Sequence, residues 1–238
     1  DPGRDYDPKS PQSFNLYAYV RNNPVSAVDP TGLATLLVRR GGRYQFVMDA
    51  NDDGIADDEQ PTENPSLNAA NKALDQGKVA LLFEGGRLYL VTKDALMVFT
   101  ANSGKTVPTD PTKQAVKNVG PIPEGLYYTG EIQELSDLSF FQRIVVEASK
   151  LPALAGIKFG PWPGGTVAWG SARTPLTPAP TTNTFGRGGF FIHGGSGSLK
   201  SAGCIDLGSG GDRFFATLQV MPGGMSAVPV VVDYPRWP

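Results

Sequence analysis

A mainly β fold is what this sequence predicts, on three observations. Strand-length runs rich in β-branched and aromatic residues, such as ATLLVRR, RYQFVMD and KVALLF, recur along the chain between turn residues. Glycine (29) and proline (21) punctuate it too often for long helices. Helical periodicity is clear in one short segment only, and a second run is equivocal. At 238 residues the chain can bury a real core as one large or two small domains. With 21 basic and 23 acidic residues the net charge is −2, with no basic stripe for nucleic acid and no acidic tail. No apolar run reaches membrane-spanning length, and one cysteine cannot form an internal disulfide. The chain begins without methionine and reads as part of something longer.

Residues 1–33 are rich in Asp-Pro, Asn-Asn-Pro and Thr-Gly turn signals and carry no core pattern. ATLLVRR and RYQFVMD then read as a hairpin about Gly41-Gly42. DANDDGIADDEQ matches the start of a calcium loop: Asp49, Asn51, Asp53 and Asp57 supply oxygens, Ile55 its carbonyl, and Gly54 the turn. Its twelfth position is Gln60 rather than glutamate, so a solvated acidic loop competes with a structural Ca2+ site. Asn64-Pro65 starts a short helix with Leu67, Ala70 and Leu74 on one face and Gly77 as its stop. From Lys78 to Gly104 the apolar runs, broken at Gly85-Gly86 and Lys93-Asp94, read as a three-stranded meander. GPIPEGLYYTGEI reads as a turn followed by an edge strand. LSDLSFFQRIVVEASK fits a helix better than a strand, although both patterns are present. Trp162 and Trp169, among prolines, form either a groove wall or ordinary loop packing.

Phe185 to Leu207, FGRGGFFIHGGSGSLKSAGCIDL, contains the only histidine, His193, and the only cysteine, Cys204, eleven positions apart. A lone cysteine is ordinarily a buried small hydrophobe and a lone histidine a satisfied core or surface residue. An apolar strand running into the histidine, and a Gly/Ser-rich loop before the cysteine, make them instead a candidate thiol–imidazole pair.

Two resemblances follow from these segments. SFNLYAYVRNNPVSAVDPTGL resembles the end of the core repeats of Rhs-type polymorphic toxins. That resemblance implies an Rhs shell in the parent chain and self-cleavage between Gly32 and Leu33, with Asp29 and Asp7 as the acidic pair; the alternative is that both aspartates are turn residues. GPIPEGLYYTGE, WGSARTPLTP and FGRGGFFIHGG…SAGCIDL resemble, in order, the landmarks of the L,D-transpeptidase catalytic domain, most closely its small toxin branch, over about residues 86–220.

The second resemblance implies a β-sandwich or barrel with a few short helices. Together the two resemblances divide the chain into a leader at 1–33, a β/loop lead-in at 34–85 and a catalytic domain at 86–238. The second further implies Cys204 as nucleophile and His193 as base, Gly194 offering the orienting carbonyl, backbone N–H groups of Gly203 and Cys204 as oxyanion hole, and Ser201 opening the S-x-G-C element. Two departures stand out: Ala202 occupies the usual histidine position and Asp206 the usual arginine position. Arg187, Arg173 and Arg213, with Trp169, are then the candidates for substrate contact.

The implied function is an antibacterial effector, secreted into the periplasm of a target bacterium. It would act on peptidoglycan peptide stems by cysteine acyl transfer without a catalytic cofactor, and be held in check by a cognate immunity protein. Another cysteine amidase or peptidase, or a non-catalytic cell-wall-binding domain, are the rival readings. A nuclease fits poorly with one histidine and no clustered basic sequence.

Overall fold

The computed structural model describes residues 27–28, 35–40, 43–48, 65–138, 142, 162, 165–196 and 199–234. Asp7, Asp29, Gly32, Leu33 and the calcium-loop residues Asp49, Asn51, Asp53, Ile55 and Asp57 lie outside the described residues, as does nearly all of 139–161.

The expected hairpin is present: β2 (Thr35–Arg40) pairs antiparallel with β3 (Arg43–Met48), and β1 (Ala27–Val28) adds to β2. Helix α1 (Pro65–Asp75) ends as its sequence predicts. Gly77 takes φ 71°, its N–H donates to the Leu74 carbonyl, and the Lys78 N–H reaches back to Ala73, which satisfies the last carbonyls of the helix. Leu67, Ala70 and Leu74 are buried against Ala80, Leu82, Tyr89, Val91 and Val231.

The main sheet is a nearly closed barrel. Its strands are β4 (Ala80–Phe83), β5 (Arg87–Val91), β6 (Leu96–Thr100), β7 (Asn102–Ser103), β8 (Gly125–Thr129), β9 (Gln133–Glu134), β10 (Ala172–Pro178), β11 (Phe190–His193), β12 (Ile205–Asp206) and β13 (Pro229–Val232), with short helices α2 (Gly165–Trp169) and α3 (Gly211–Val220). The order is β6-β5-β4-β13-β8-β10-β11-β12-β7, with β9 on β10. The two ends of that order, β6 and β7, are separated in sequence by Ala101 alone, whose N–H donates to the Gly86 carbonyl. One bent stretch, 96–103, therefore serves both edges, which hides the unpaired backbone that an open sheet exposes. Leu81, Phe83, Leu88, Leu90, Tyr127, Ile192 and Ile205 share the interior with Phe214, Phe215 and Leu218 of α3.

Two expectations are corrected. The sheet takes in β4, which lies in the lead-in assigned to 34–85, so a boundary at residue 86 cuts through the barrel. The cause is non-local: β4 pairs in parallel with β13, far along the chain. The strand after GPIP is central rather than an edge, because β8 lies between β13 and β10 and its two prolines precede the paired residues. Of the equivocal segment, Leu135–Asp137 forms a 3-10 turn and Gln142 is helical.

Candidate active site

Strand register assembles the site. In β11, Phe190 and Ile192 point into the core, so Phe191 and His193 take the opposite face. β12 runs parallel to β11 with Ile192 level with Ile205 and His193 level with Asp206. Ile205 is fully buried in the core, which puts Asp206 on the face of His193, and Cys204 beside Phe191 on that same face. His193 at the end of β11 and Cys204 immediately before β12 are thus diagonal neighbours, a spacing that long and aromatic side chains span. Both are buried.

Glycine backbones fix the imidazole. Gly194 packs so closely on Gly211, the first residue of α3, that a Cβ on Gly211 would lie 2.5 Å from the Gly194 Cα. The Gly195 N–H is held by the Gly208 carbonyl at 3.0 Å. This places the Gly194 carbonyl 2.7 Å from His193 Nδ1. A carbonyl only accepts, so Nδ1 carries the proton and Nε2 keeps a free lone pair.

The loop before Cys204 is clamped rather than open. Arg187 donates to the carbonyls of Gln114, Pro121, Gly120 (2.8 Å) and Ala202 (3.2 Å). Four of its five N–H donors are committed in this way, so the guanidinium that sequence reasoning offered to a substrate carboxylate instead ties the cysteine loop to residues 114–121. Gly203 sits at φ +121°, where a Cβ would fall 2.3 Å from the Arg187 guanidinium, so only glycine fits. Ser201 Oγ donates to the Cys204 carbonyl at 2.6 Å and accepts from the Gly203 N–H at 3.3 Å. That N–H, expected in the oxyanion hole, is therefore engaged inside the loop.

Burial sets the resting charges. It pushes the Cys204 thiol up to about 11, against the opposing Phe191 N–H and the arginines. Burial also lowers His193, while the Gly194 carbonyl and Asp206 pull it back up. The resting pair at neutral pH is a thiol and a neutral imidazole, not the thiolate that an adjacent imidazole suggests from sequence alone.

The sequence profile of the Tlde1 domain matches residues 97–228, more than half of the chain, spanning β6 to α3. The chain belongs to the Tlde1 domain family. Membership makes this a peptidoglycan-targeting antibacterial toxin domain, and a cell-wall-directed effector. No curated protein matches the chain. Within the described residues no helix is long and apolar enough to cross a membrane.

Beside the cysteine loop of this Tlde1 domain lies a second cluster that sequence reasoning caught only in part. Arg173, on β10 opposite His193, has its guanidinium 4.5 Å from the ring centres of both Trp162 and Trp169 and 4.9 Å from that of Phe191. Its Nε donates to Gln133 at 2.9 Å. Trp169 also packs on His193, 5.0 Å between ring centres, and on Phe191 at 5.4 Å. Trp162 is almost wholly buried and underlies the cation, which no local sequence signal reveals. An open cleft of about 570 Å³ borders Arg173, Trp162, Pro175 and Gln133. Arg213 is not part of this cluster; it is exposed on α3 and lies over Phe99. Among the described residues no group of three or more His, Cys, Asp or Glu is arranged to hold a metal ion.

Proposed function

We propose that this Tlde1 domain is a cysteine-dependent L,D-carboxypeptidase and L,D-transpeptidase acting on peptidoglycan peptide stems in the periplasm of a target bacterium. The observation that carries the reading is the tautomer of His193: with Nδ1–H bound to the Gly194 carbonyl, Nε2 is left as a base on the face that Cys204 shares. His193 Nε2 takes the Sγ proton as the sulfur attacks the carbonyl of the third stem residue, a diamino acid. The oxyanion that forms is met by the Cys204 N–H, and by the Gly203 N–H once it leaves Ser201. Collapse breaks the C–N bond, and Nε2 returns its proton to the departing D-alanine amine. Water then hydrolyses the thioester, or the amine of a D-amino acid takes the acyl group. Arg173 is the arginine proposed for the stem carboxylate, since it shares the cysteine's face while Arg187 is bound by carbonyls. A cognate immunity protein, an Rhs-type leader that self-cleaves at Gly32–Leu33 and a structural Ca2+ at 49–57 complete the proposal.

Incubating purified peptidoglycan with the protein and with Cys204→Ala tests it. The wild type should convert tetrapeptide stems to tripeptides or D-amino-acid-exchanged forms, and the variant should not. Identical muropeptide profiles from the two sink the reading. Labelling of Cys204 with no muropeptide change would favour another thiol amidase, and toxicity retained in Cys204→Ala would favour a binding domain.

A further inference from the structure

A buried imidazole beside a guanidinium is a poor base. Burial and Arg173 both disfavour the imidazolium that His193 must become on taking a proton. Two groups act the other way, the Gly194 carbonyl and Asp206. Asp206 reaches His193 through the sheet: parallel pairing sets them level on one face, with Oδ1 3.8 Å from Nδ1 and both residues buried. The carboxylate is anchored, because Oδ1 accepts the Gly208 N–H at 2.9 Å and the Lys200 N–H also bonds to it. Other ionisable groups near His193 do not duplicate it. Arg173 on β10 is a cation, and Cys204, immediately before β12, is the proton donor of the proposed reaction. On α3, Asp212 is bonded to Ser171 and Arg213 lies over Phe99.

We propose that Asp206 is a positioning residue that compensates charge: with the Gly194 carbonyl it holds His193 in its Nδ1–H form and stabilises the imidazolium created when Nε2 accepts the Cys204 proton. The inference rests on the cysteine–histidine reading above. The proton moves from Sγ to Nε2 as the S–C bond forms and from Nε2 to the leaving amine as the C–N bond breaks. Nδ1–H is unchanged throughout, and Asp206 neither gains nor loses a proton. The arrangement also accounts for an aspartate where the L,D-transpeptidase pattern carries arginine: here a cation is supplied from the neighbouring strand by Arg173, and the carboxylate offsets its field at the base.

Asp206→Asn is the test, since it keeps the size and the Oδ1 acceptor for Gly208 and removes only the charge. On tetrapeptide stems, kcat should fall by at least about tenfold with KM within about twofold. The acid limb of kcat/KM should move to lower pH by about one unit, because a neighbouring opposite charge shifts an ionisation by about 1–3 units. Asp206→Glu should recover part of the loss. His193 is the only histidine, so NMR titration of its ring in a Cys204→Ala background reads the coupling without any turnover. The pKa should be lower in Cys204→Ala/Asp206→Asn than in Cys204→Ala. An unchanged histidine pKa, or wild-type kcat with an unmoved acid limb, overturns the proposal. If Asp206→Asn fails to fold, Asp206→Ser takes its place in the titration. The reading of the reaction itself fails separately, through Cys204→Ala.

Discussion

Burial holds Cys204 as a thiol. With its pKa raised to about 11, the free protein should react slowly with iodoacetamide at pH 7. The labelling rate should climb with a midpoint near 11 instead of the 9.0 of an ordinary cysteine; a midpoint below 8 would show a preformed thiolate and contradict the neutral pair. In the proposed reaction the thiolate is made during attack, as His193 takes the proton. Arg187 acts at the same scale but on structure. Arg187→Met leaves the carbonyls of Gln114, Gly120, Pro121 and Ala202 without their shared donor. Leaving a buried carbonyl without its donor costs about 1–3 kcal/mol, so urea unfolding should record a loss of at least that order along with lost activity. Arg173→Lys should raise KM more than it lowers kcat, since an ammonium cannot stack between Trp162 and Trp169 as a planar guanidinium does.

At the scale of elements, β12 contributes only Ile205 and Asp206 to the sheet, yet its parallel pairing with β11 decides which residues meet. A slip of one residue would put Cys204 and Asp206 into the core and Ile205 outside. The buried Ile205 opposes that slip, and so does Arg187, which grips Ala202 just before the strand. β4 illustrates a strand buried on both faces: Leu81 and Phe83 face the barrel interior while Ala80 and Leu82 meet α1. Leu82→Ala should therefore cost about 2–5 kcal/mol in urea unfolding, as core truncations do. An effect no larger than that of a surface substitution would mean that α1 does not pack there.

For the whole molecule, closure joins distant segments into one cooperative unit. A fragment beginning at residue 86 lacks β4, leaves β5 and β13 without their shared partner, and should show no cooperative melting transition, whereas one beginning at residue 65 should. Stability should also depend on pH in two windows. His193 is lowered in the folded state, so between its folded value and 6.5 the unfolded chain binds more protons, and stability falls as pH drops below 6.5. Cys204 is raised, so from 9.0 to about 11 the folded state keeps a proton that the unfolded chain loses, and stability falls by about 2–3 kcal/mol as pH rises through that window. Thermal melts of Cys204→Ala should lack this alkaline loss; an identical decline would assign it to other groups, such as the raised tyrosines Tyr127 and Tyr234.

The features legible along the chain are local ones. The Gly77 helix stop, the hairpin, the β4–β6 meander and the strand that delivers His193 all follow from periodicity and turn chemistry, which act over a few residues. Even the shared face of Cys204 and Asp206 is implicit in their spacing of two. Contacts between distant segments decided the rest. β4 belongs to the barrel because of β13, β8 is central because partners arrive on both sides, and Arg187 is a clamp because four carbonyls converge on it. The carboxylate at Asp206 and the cation at Arg173 meet His193 only because three strands align, and no spacing along the chain encodes that register.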